Sequence, residues 1–439
     1  MATILAYTSP ALGHLFPISA LLTELSRRGH KIHLRTLSTG VETGQRLGFV
    51  TDAIDPRIEA VVDDDWKAPN IRAALKMAIE VFCRRAVHEV SDFTDAVARV
   101  RPDAVIVDVN CWGALSAADA GDIPWLCFTP YTPFLKSRGV PPFGPGLKPM
   151  PGVLGRIRDA ALRPLVMGIL EKGMLPPLNK IRADIGAPPV ASADGFARRA
   201  PLILVASGKP FEYSQTDWGD AVQLIGPCVL DDEPETVPDW LVTIDRPIVL
   251  VTTSSVRQAD AKLALTAITA LADEPVHVVA TLLAGPPDEV ESPPNATVCG
   301  FVSHGMVLER TICAVTHGGM GATQKALGRG VPVCAVPFGR DQFEVARRVE
   351  VARCGTRLPA KKLTPARLRT KVREAMTMTA GARRVAAGFA ATGGVGRGAD
   401  LIEQRVLDPG QRLTTERAGL ATSPRRSDAG RSIWASRLG

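Results

Sequence analysis

The sequence predicts an α/β protein of two domains, each a parallel sheet with helices on both faces. Three observations predict it. Apolar strand-like runs alternate with helix-like runs, as parallel sheets require. The alternation restarts midway along the chain, and 439 residues exceed what a single core usually supports.

The elements follow in order. Thr3 to Ser9 reads as a strand, followed by a turn at Gly13-His14 and an amphipathic helix carrying Leu15, Ile18, Leu21, Leu22 and Leu25 on one face, with Gly29 closing it. KIHLRT is a second strand. PDAVIVDVNCWGALSAADAG repeats the theme, with a buried strand from Ala104 to Val107, a turn at Asp108 and a small-residue helix, and IPWLCFTP continues it. Val222 to Leu241 is acidic and proline-containing, the composition of an interdomain linker. The count then restarts: RPIVLVTTSS is a strand ending in hydroxyl residues, ADAKLALTAITALAD is helical, and VHVVATLL, NATVCGF and ICAVTH are strands. After about residue 408 no period is sustained, and the end reads as a disordered tail. The division is therefore 1–221, a linker at 222–241, 242–407 and a tail at 408–439. Ligands of such sheets bind at the carboxyl ends of the strands, so the two domains should face each other across a cleft.

Composition narrows the class. With 46% hydrophobic and 22% charged residues, a large core is available. No run reaches the roughly 18 apolar residues of a membrane-spanning helix, and MATILAYTSP lacks the basic start of a signal peptide. The chain reads as cytoplasmic. Eight scattered cysteines without a C-x-x-C pair read as reduced core thiols. The formal charge of +7 is local: residues 136–182 carry nine basic against two acidic side chains, a net of +7, so the rest sums to zero. That excludes a general nucleic-acid-binding surface. A basic segment interleaved with apolar residues suits an anionic membrane surface or an apolar substrate, and equally a solvated surface helix. The acids Asp63 to Asp65 read as a solvated loop.

The chemistry concentrates in THGGMGATQKALGRGVPVCAVPFGRDQ, residues 316–342. Glycines 318, 319 and 321 bring backbone N–H groups to a helix start, where the macrodipole favours anions. His317 stands at the strand end just before them. A glycine-rich packing turn capped by histidine is the commoner use of so short a motif. No G-x-G-x-x-G follows the first strand, so a dinucleotide-dependent oxidoreductase loses its best support.

FVSHG (Phe301 to Gly305), followed about ten residues later by that stretch, closely resembles the nucleotide-sugar signature of glycosyltransferase family 1, in its bacterial macrolide-type branch. GHLFP (Gly13 to Pro17) resembles the family's G-H-x-x-P, and VIVDVNCWGA the segment carrying its catalytic aspartate. The resemblance runs from the first strand to about residue 407 and implies the GT-B fold, two facing Rossmann-like domains with parallel sheets. It implies His14 as general base and Asp108, 94 residues later, as the acid that orients it. It implies that Phe301 stacks on the nucleobase with the Val302 backbone at its edge. Ser255, His317 and the Gly319, Gly321 and Ala322 N–H groups would grip the diphosphate, so that no metal or cofactor is needed. Asp341 and Gln342 match the pair that contacts the sugar.

Two departures stand out. Ala322 replaces a common Ser or Thr, and Lys325 replaces a glutamate that binds ribose hydroxyls, bonds a lysine cannot accept. Lys325 therefore fits a deoxyribose donor, adds charge beside the diphosphate, or points to solvent. The resemblance implies an inverting transferase that moves a hexose from a UDP- or dTDP-sugar to an acceptor hydroxyl; the basic, apolar-rich character of residues 136–182 favours an apolar acceptor (lipid, phenolic or polyketide-like) and leaves open a peripheral membrane contact through that segment. A non-transferring sugar-nucleotide enzyme, an epimerase or hydrolase, and a non-catalytic nucleotide-sugar binder are the competing readings.

Overall fold

A computed structural model describes residues 1–230, 236–254, 260–282, 293–300 and 302–408. Two sheets of parallel strands organise it. The first has the order β3-β2-β1-β4-β5-β6-β7, where β1 is Thr3–Tyr7, β2 Lys31–Thr36, β3 Val50–Ala53, β4 Ala104–Asp108, β5 Trp125–Thr129, β6 Ile203–Val205 and β7 Val222–Leu224. The second has the order β10-β9-β8-β11-β12-β13, with β8 at Ile248–Thr252, β9 His277–Thr281, β10 Ala296–Cys299, β11 Thr311–Thr316, β12 Val333–Ala335 and β13 Gly355–Arg357. Every recorded pairing is parallel.

Period-two alternation explains why both faces are dry. In β4, Val105 and Val107 face one apolar cluster with Phe93, Trp112 and Met174, while Ala104 and Ile106 face another with Leu15, Leu21 and Leu25. In β8, Ile248 and Leu250 face the cluster of Leu327 and Val345, and Val249 and Val251 that of Leu263 and Leu271. The eight cysteines are free and mostly buried.

Both strand orders reverse beside the first strand of the sheet: β1 lies between β2 and β4, and β8 between β9 and β11. Helices following β1 and β4 leave on opposite faces, so the carboxyl ends of that pair are left open. His14 follows β1 and Asp108 ends β4; His317 follows β11 beside Thr252 at the end of β8.

The structure refines the sequence division. Val222–Leu224, read as the start of the linker, is the edge strand β7, too short at three residues to show a period. The last α-helix, Gly394–Ile402, does not pack on the C-terminal sheet. Its Ala399, Leu401 and Ile402 join the N-terminal cluster, and Arg28 donates to Asp400 and Glu403, each at 2.7 Å. The tail from residue 409 lies outside the described residues. Basic segment 136–182 ends in the helix Gly152–Asp184; ahead of it, the Gly144 and Gly146 N–H groups donate to Glu344 Oε1, each at 2.9 Å, across the lobes. Among the described residues no helix is long and apolar enough to cross a membrane.

Candidate active site

His14 lies in the first turn of the helix Leu12–Arg27, which begins one residue before the Gly13-His14 turn the sequence predicts and takes it in. Its Nδ1 is 2.7 Å from Asp108 Oδ2. The carboxylate is fully buried and the imidazole only 14% exposed. The other carboxylate oxygen, Oδ1, accepts the Asn110 N–H at 2.9 Å, so the turn after β4 fixes the acid's orientation. This pairing places the imidazole proton on Nδ1 and leaves Nε2 as the basic atom. Asn110 Nδ2 sits 3.2 Å from Nε2, and the Tyr131 hydroxyl donates to Asn110 Oδ1 at 2.8 Å. Burial lowers the affinity of His14 for a proton, but the charge and hydrogen bond of Asp108 outweigh it and the pKa is raised; Asp341 adds to the rise and Arg340 opposes it.

Asp341 thus reaches His14 electrostatically from the other lobe. It precedes the helix Gln342–Val351 and is half-buried, and burial raises its pKa. Gln342 is 2% exposed, and its Oε1 accepts the Phe338 and Gly339 N–H groups at 2.8 and 3.1 Å. In the structure Gln342 therefore shapes the turn that carries Asp341.

The glycine turn is built for close approach. Gly318 has φ +86, and its N–H donates to Thr316 Oγ1 at 3.1 Å. A Cβ on Gly319 would fall 2.2 Å from His317 Nε2, so the imidazole packs directly on that backbone. Gly319 caps the helix Met320–Gly328 without any side-chain bond, leaving the first N–H groups, those of Gly321 and Ala322 included, to an outside acceptor. His317 is 8% exposed. Its Nδ1 is buried with no partner among the described residues, and burial lowers its pKa, favouring the neutral ring.

Val302 is buried in the C-terminal core. Ser255 and Phe301 lie outside the described residues. Lys325 does not simply point to solvent: its Nζ donates to the Leu230 carbonyl at 3.1 Å, on the segment crossing between the lobes. Asp63 and Asp65 of the 63–65 loop are not solvated either, while Asp64 is 42% exposed. Arg340 Nε and Nη2 donate to Asp65 at 2.9 and 2.7 Å, and Nη2 to Asp63 at 2.9 Å, while Lys67 pairs with Asp64 at 2.7 Å. Asn110 and Tyr131 also escaped sequence reading; the adjacency of Asn110 to Asp108 in one turn was the available signal.

Residues 263–394 match the family model described as "Erythromycin biosynthesis protein CIII-like, C-terminal domain". Over 421 residues, 92% of this chain and 99% of the relative, the sequence is 30% identical to 4'-demethylrebeccamycin synthase of Lentzea aerocolonigenes. The chain belongs to the bacterial natural-product branch of the GT-B glycosyltransferases. It is also 25% identical to demethyllactenocin mycarosyltransferase of Streptomyces fradiae, over 92% of this chain and 86% of that one. The glycosyltransferase of kitacinnamycin shares its fold at a TM-score of 0.70 and 23% identity, covering 92% and 99% of the two chains. The glycosyltransferase VinC, solved in complex with dTDP, does so at 0.66 and 19%, covering 94% and 100%. Membership decides among the readings left open by the sequence: this glycosyltransferase transfers a sugar from a nucleotide sugar.

Proposed function

We propose that the enzyme inverts the anomeric centre in one displacement, with His14 as base. The acceptor O–H gives its proton to His14 Nε2 as its oxygen attacks the anomeric carbon. The bond from that carbon to the diphosphate oxygen breaks, and the nucleoside diphosphate leaves with the electron pair. Asp108 holds the Nδ1 proton and stabilises the imidazolium that forms. The acceptor hydroxyl takes the place at Nε2 that Asn110 Nδ2 occupies at 3.2 Å. The N–H groups at Gly319, Gly321 and Ala322, at a helix start with no side-chain cap, and His317 Nδ1, without a partner among the described residues, support the reading that backbone donors meet the diphosphate charge without a metal or other cofactor, together with Ser255; Phe301 would stack on the base beside the Val302 backbone, and Asp341 would meet the sugar hydroxyls. One observation carries the mechanism: the buried carboxylate of Asp108 lies 2.7 Å from His14 Nδ1. His14→Ala tests it; full turnover in that variant would remove the mechanism.

The donor is a UDP- or dTDP-hexose. Lys325 supplies no ribose acceptor, which favours dTDP, and relatives solved with thymidine diphosphate point the same way. A thermal-shift screen of UDP-glucose, dTDP-glucose and dTDP-rhamnose reads the choice, because a ligand of the folded state raises its melting temperature.

The acceptor is an apolar hydroxyl compound reached from the N-terminal lobe. The helices Ile71–Val100 and Gly152–Asp184 flank a groove of about 920 Å³ whose lining includes Arg72, Lys76, Ile79, Leu165, Ile169 and Lys172. Ile71, Val153, Leu154, Ile157 and Leu165 on the same helices are well exposed, and exposed apolar side chains interleaved with cations suit an anionic membrane surface. A lipid acceptor predicts labelled glycolipid from purified membrane lipid. Transfer to a small phenol without any labelled lipid would remove the lipid version.

A further inference from the structure

We propose that Arg340 is a positioning residue of the transfer reaction: clasped by Asp63 and Asp65 of the opposite lobe, it sets the 338–342 turn against the His14 helix and so registers donor to base. The inference rests on the base reading given above.

Both sides of the clasp are fixed. On the N-terminal lobe, Arg85 of the helix Ile71–Val100 donates Nε and Nη2 to the Val61 carbonyl at 3.1 and 2.6 Å, which braces the loop that presents the acids. The Asp65 N–H donates to Asp63 Oδ1 at 3.3 Å, setting the two carboxylates side by side. On the C-terminal lobe, Gln342 ties the turn to itself through Phe338 and Gly339. Gly318 of the diphosphate turn packs on Gln342, at 3.1 Å from its carbonyl oxygen for a Cβ built there. Movement of Arg340 is therefore transmitted to the glycine turn on one side and to Asp341 on the other.

The residue choice is informative. Arg340 sits at φ +53, in the left-handed region where glycine would be free of strain. A lysine could supply a charge there but not the planar fork that engages two carboxylates at once. The side chain is 25% exposed, and Asp63 and Asp65 are 19% and 8% exposed, which shields the pairs from screening by solvent. A mere strut would leave the reacting groups alone. Arg340 does not: its charge acts on His14, His317 and Asp341 together.

The test is steady-state kinetics of full-length Arg340→Gln, Arg340→Lys, Asp65→Asn and the Arg340→Gln/Asp65→Asn double variant, each checked for an unchanged melting profile. The groups facing His14 are Asp108 from the end of β4, neutral Asn110 and Tyr131, and Asp341 and Arg340 from the opposing turn. Removing the Arg340 cation leaves the carboxylates dominant, so the acidic limb of kcat/KM against pH moves upward in Arg340→Gln. The donor KM rises about 10- to 100-fold, while the acceptor KM stays within about twofold. Arg340→Lys keeps the limb in place and restores only part of the donor KM. The double variant is no worse than Arg340→Gln, as coupled partners require. A wild-type donor KM and pH profile in Arg340→Gln, beside an inactive His14→Ala, would overturn the inference alone. Additive effects of the two single substitutions would also overturn it, and full activity in His14→Ala would overturn it together with the reading beneath it.

Discussion

Replacing Asp108 by Asn probes the site at its most constrained point. The carboxylate and the imidazole are joined at 2.7 Å, which puts their charge centres about 4 Å apart. At an effective dielectric constant near 20 that attraction is worth about 4 kcal/mol and favours the charged imidazolium. Burial takes back part of this, and the net shift of His14 is upward. Asparagine removes the charge and offers an N–H in place of a lone pair, so burial then lowers the His14 pKa and the ring can turn its proton to Nε2. A ring protonated at Nε2 cannot take the acceptor's proton. The expected loss in kcat is about 10³- to 10⁴-fold, with the acidic limb of the pH profile moving down. Stability carries the same sign. A histidine whose pKa is raised on folding contributes stability below its ordinary value of about 6.5, and that contribution fades as pH rises through the folded value. The gap in melting temperature between wild type and Asp108→Asn is therefore wider at pH 6 than at pH 9. Product formation from pH 5 to 9 and melting curves at the two ends measure both effects. A variant within tenfold of wild type, with the acidic limb unmoved, refutes the pairing as the source of basicity.

Gly319→Ala drives a methyl group into His317 Nε2, 2.2 Å away; the donor-induced rise in melting temperature should vanish while the unliganded protein melts within a few degrees of wild type. Arg348 is 1% exposed and bonded to Glu212 at 2.7 Å and Glu344 at 3.0 Å, so Arg348→Met strands two buried acids and should cost about 3–5 kcal/mol; denaturant unfolding showing less than about 1 kcal/mol would contradict that. Turnover in excess chelator should equal turnover without it, as measured by released nucleoside diphosphate. A chelator-sensitive rate restored by magnesium would refute charge neutralisation by backbone donors alone.

The long, periodic parts of this architecture were legible in the sequence. Leu15, Ile18, Leu21, Leu22 and Leu25 announced the first helix and are all buried, and ICAVTH and RPIVLVTTSS announced neighbouring strands. His14 and Asp108 meet because β1 and β4 are adjacent, which the family resemblance implied and local pattern alone did not. Strands of three or four residues, such as β3, β6 and β13, carry too few side chains to show a period. The Arg340 clasp spans 275 residues to Asp65, and nothing local marks a charge whose partner is folded in from the other lobe. Asp63 and Asp65 looked as solvated as Asp64 is, because a sequence shows charge but not what covers it.

The return of Gly394–Ile402 to the N-terminal lobe means that, among the described residues, the polypeptide passes between the lobes twice, once near Leu230 and once near Gly393. Two passages define a line, and two bodies joined along a line swing like a door rather than twist about a single thread. Opening of the cleft is then confined to one arc, so that each closure returns the glycine turn to the same place opposite the imidazole.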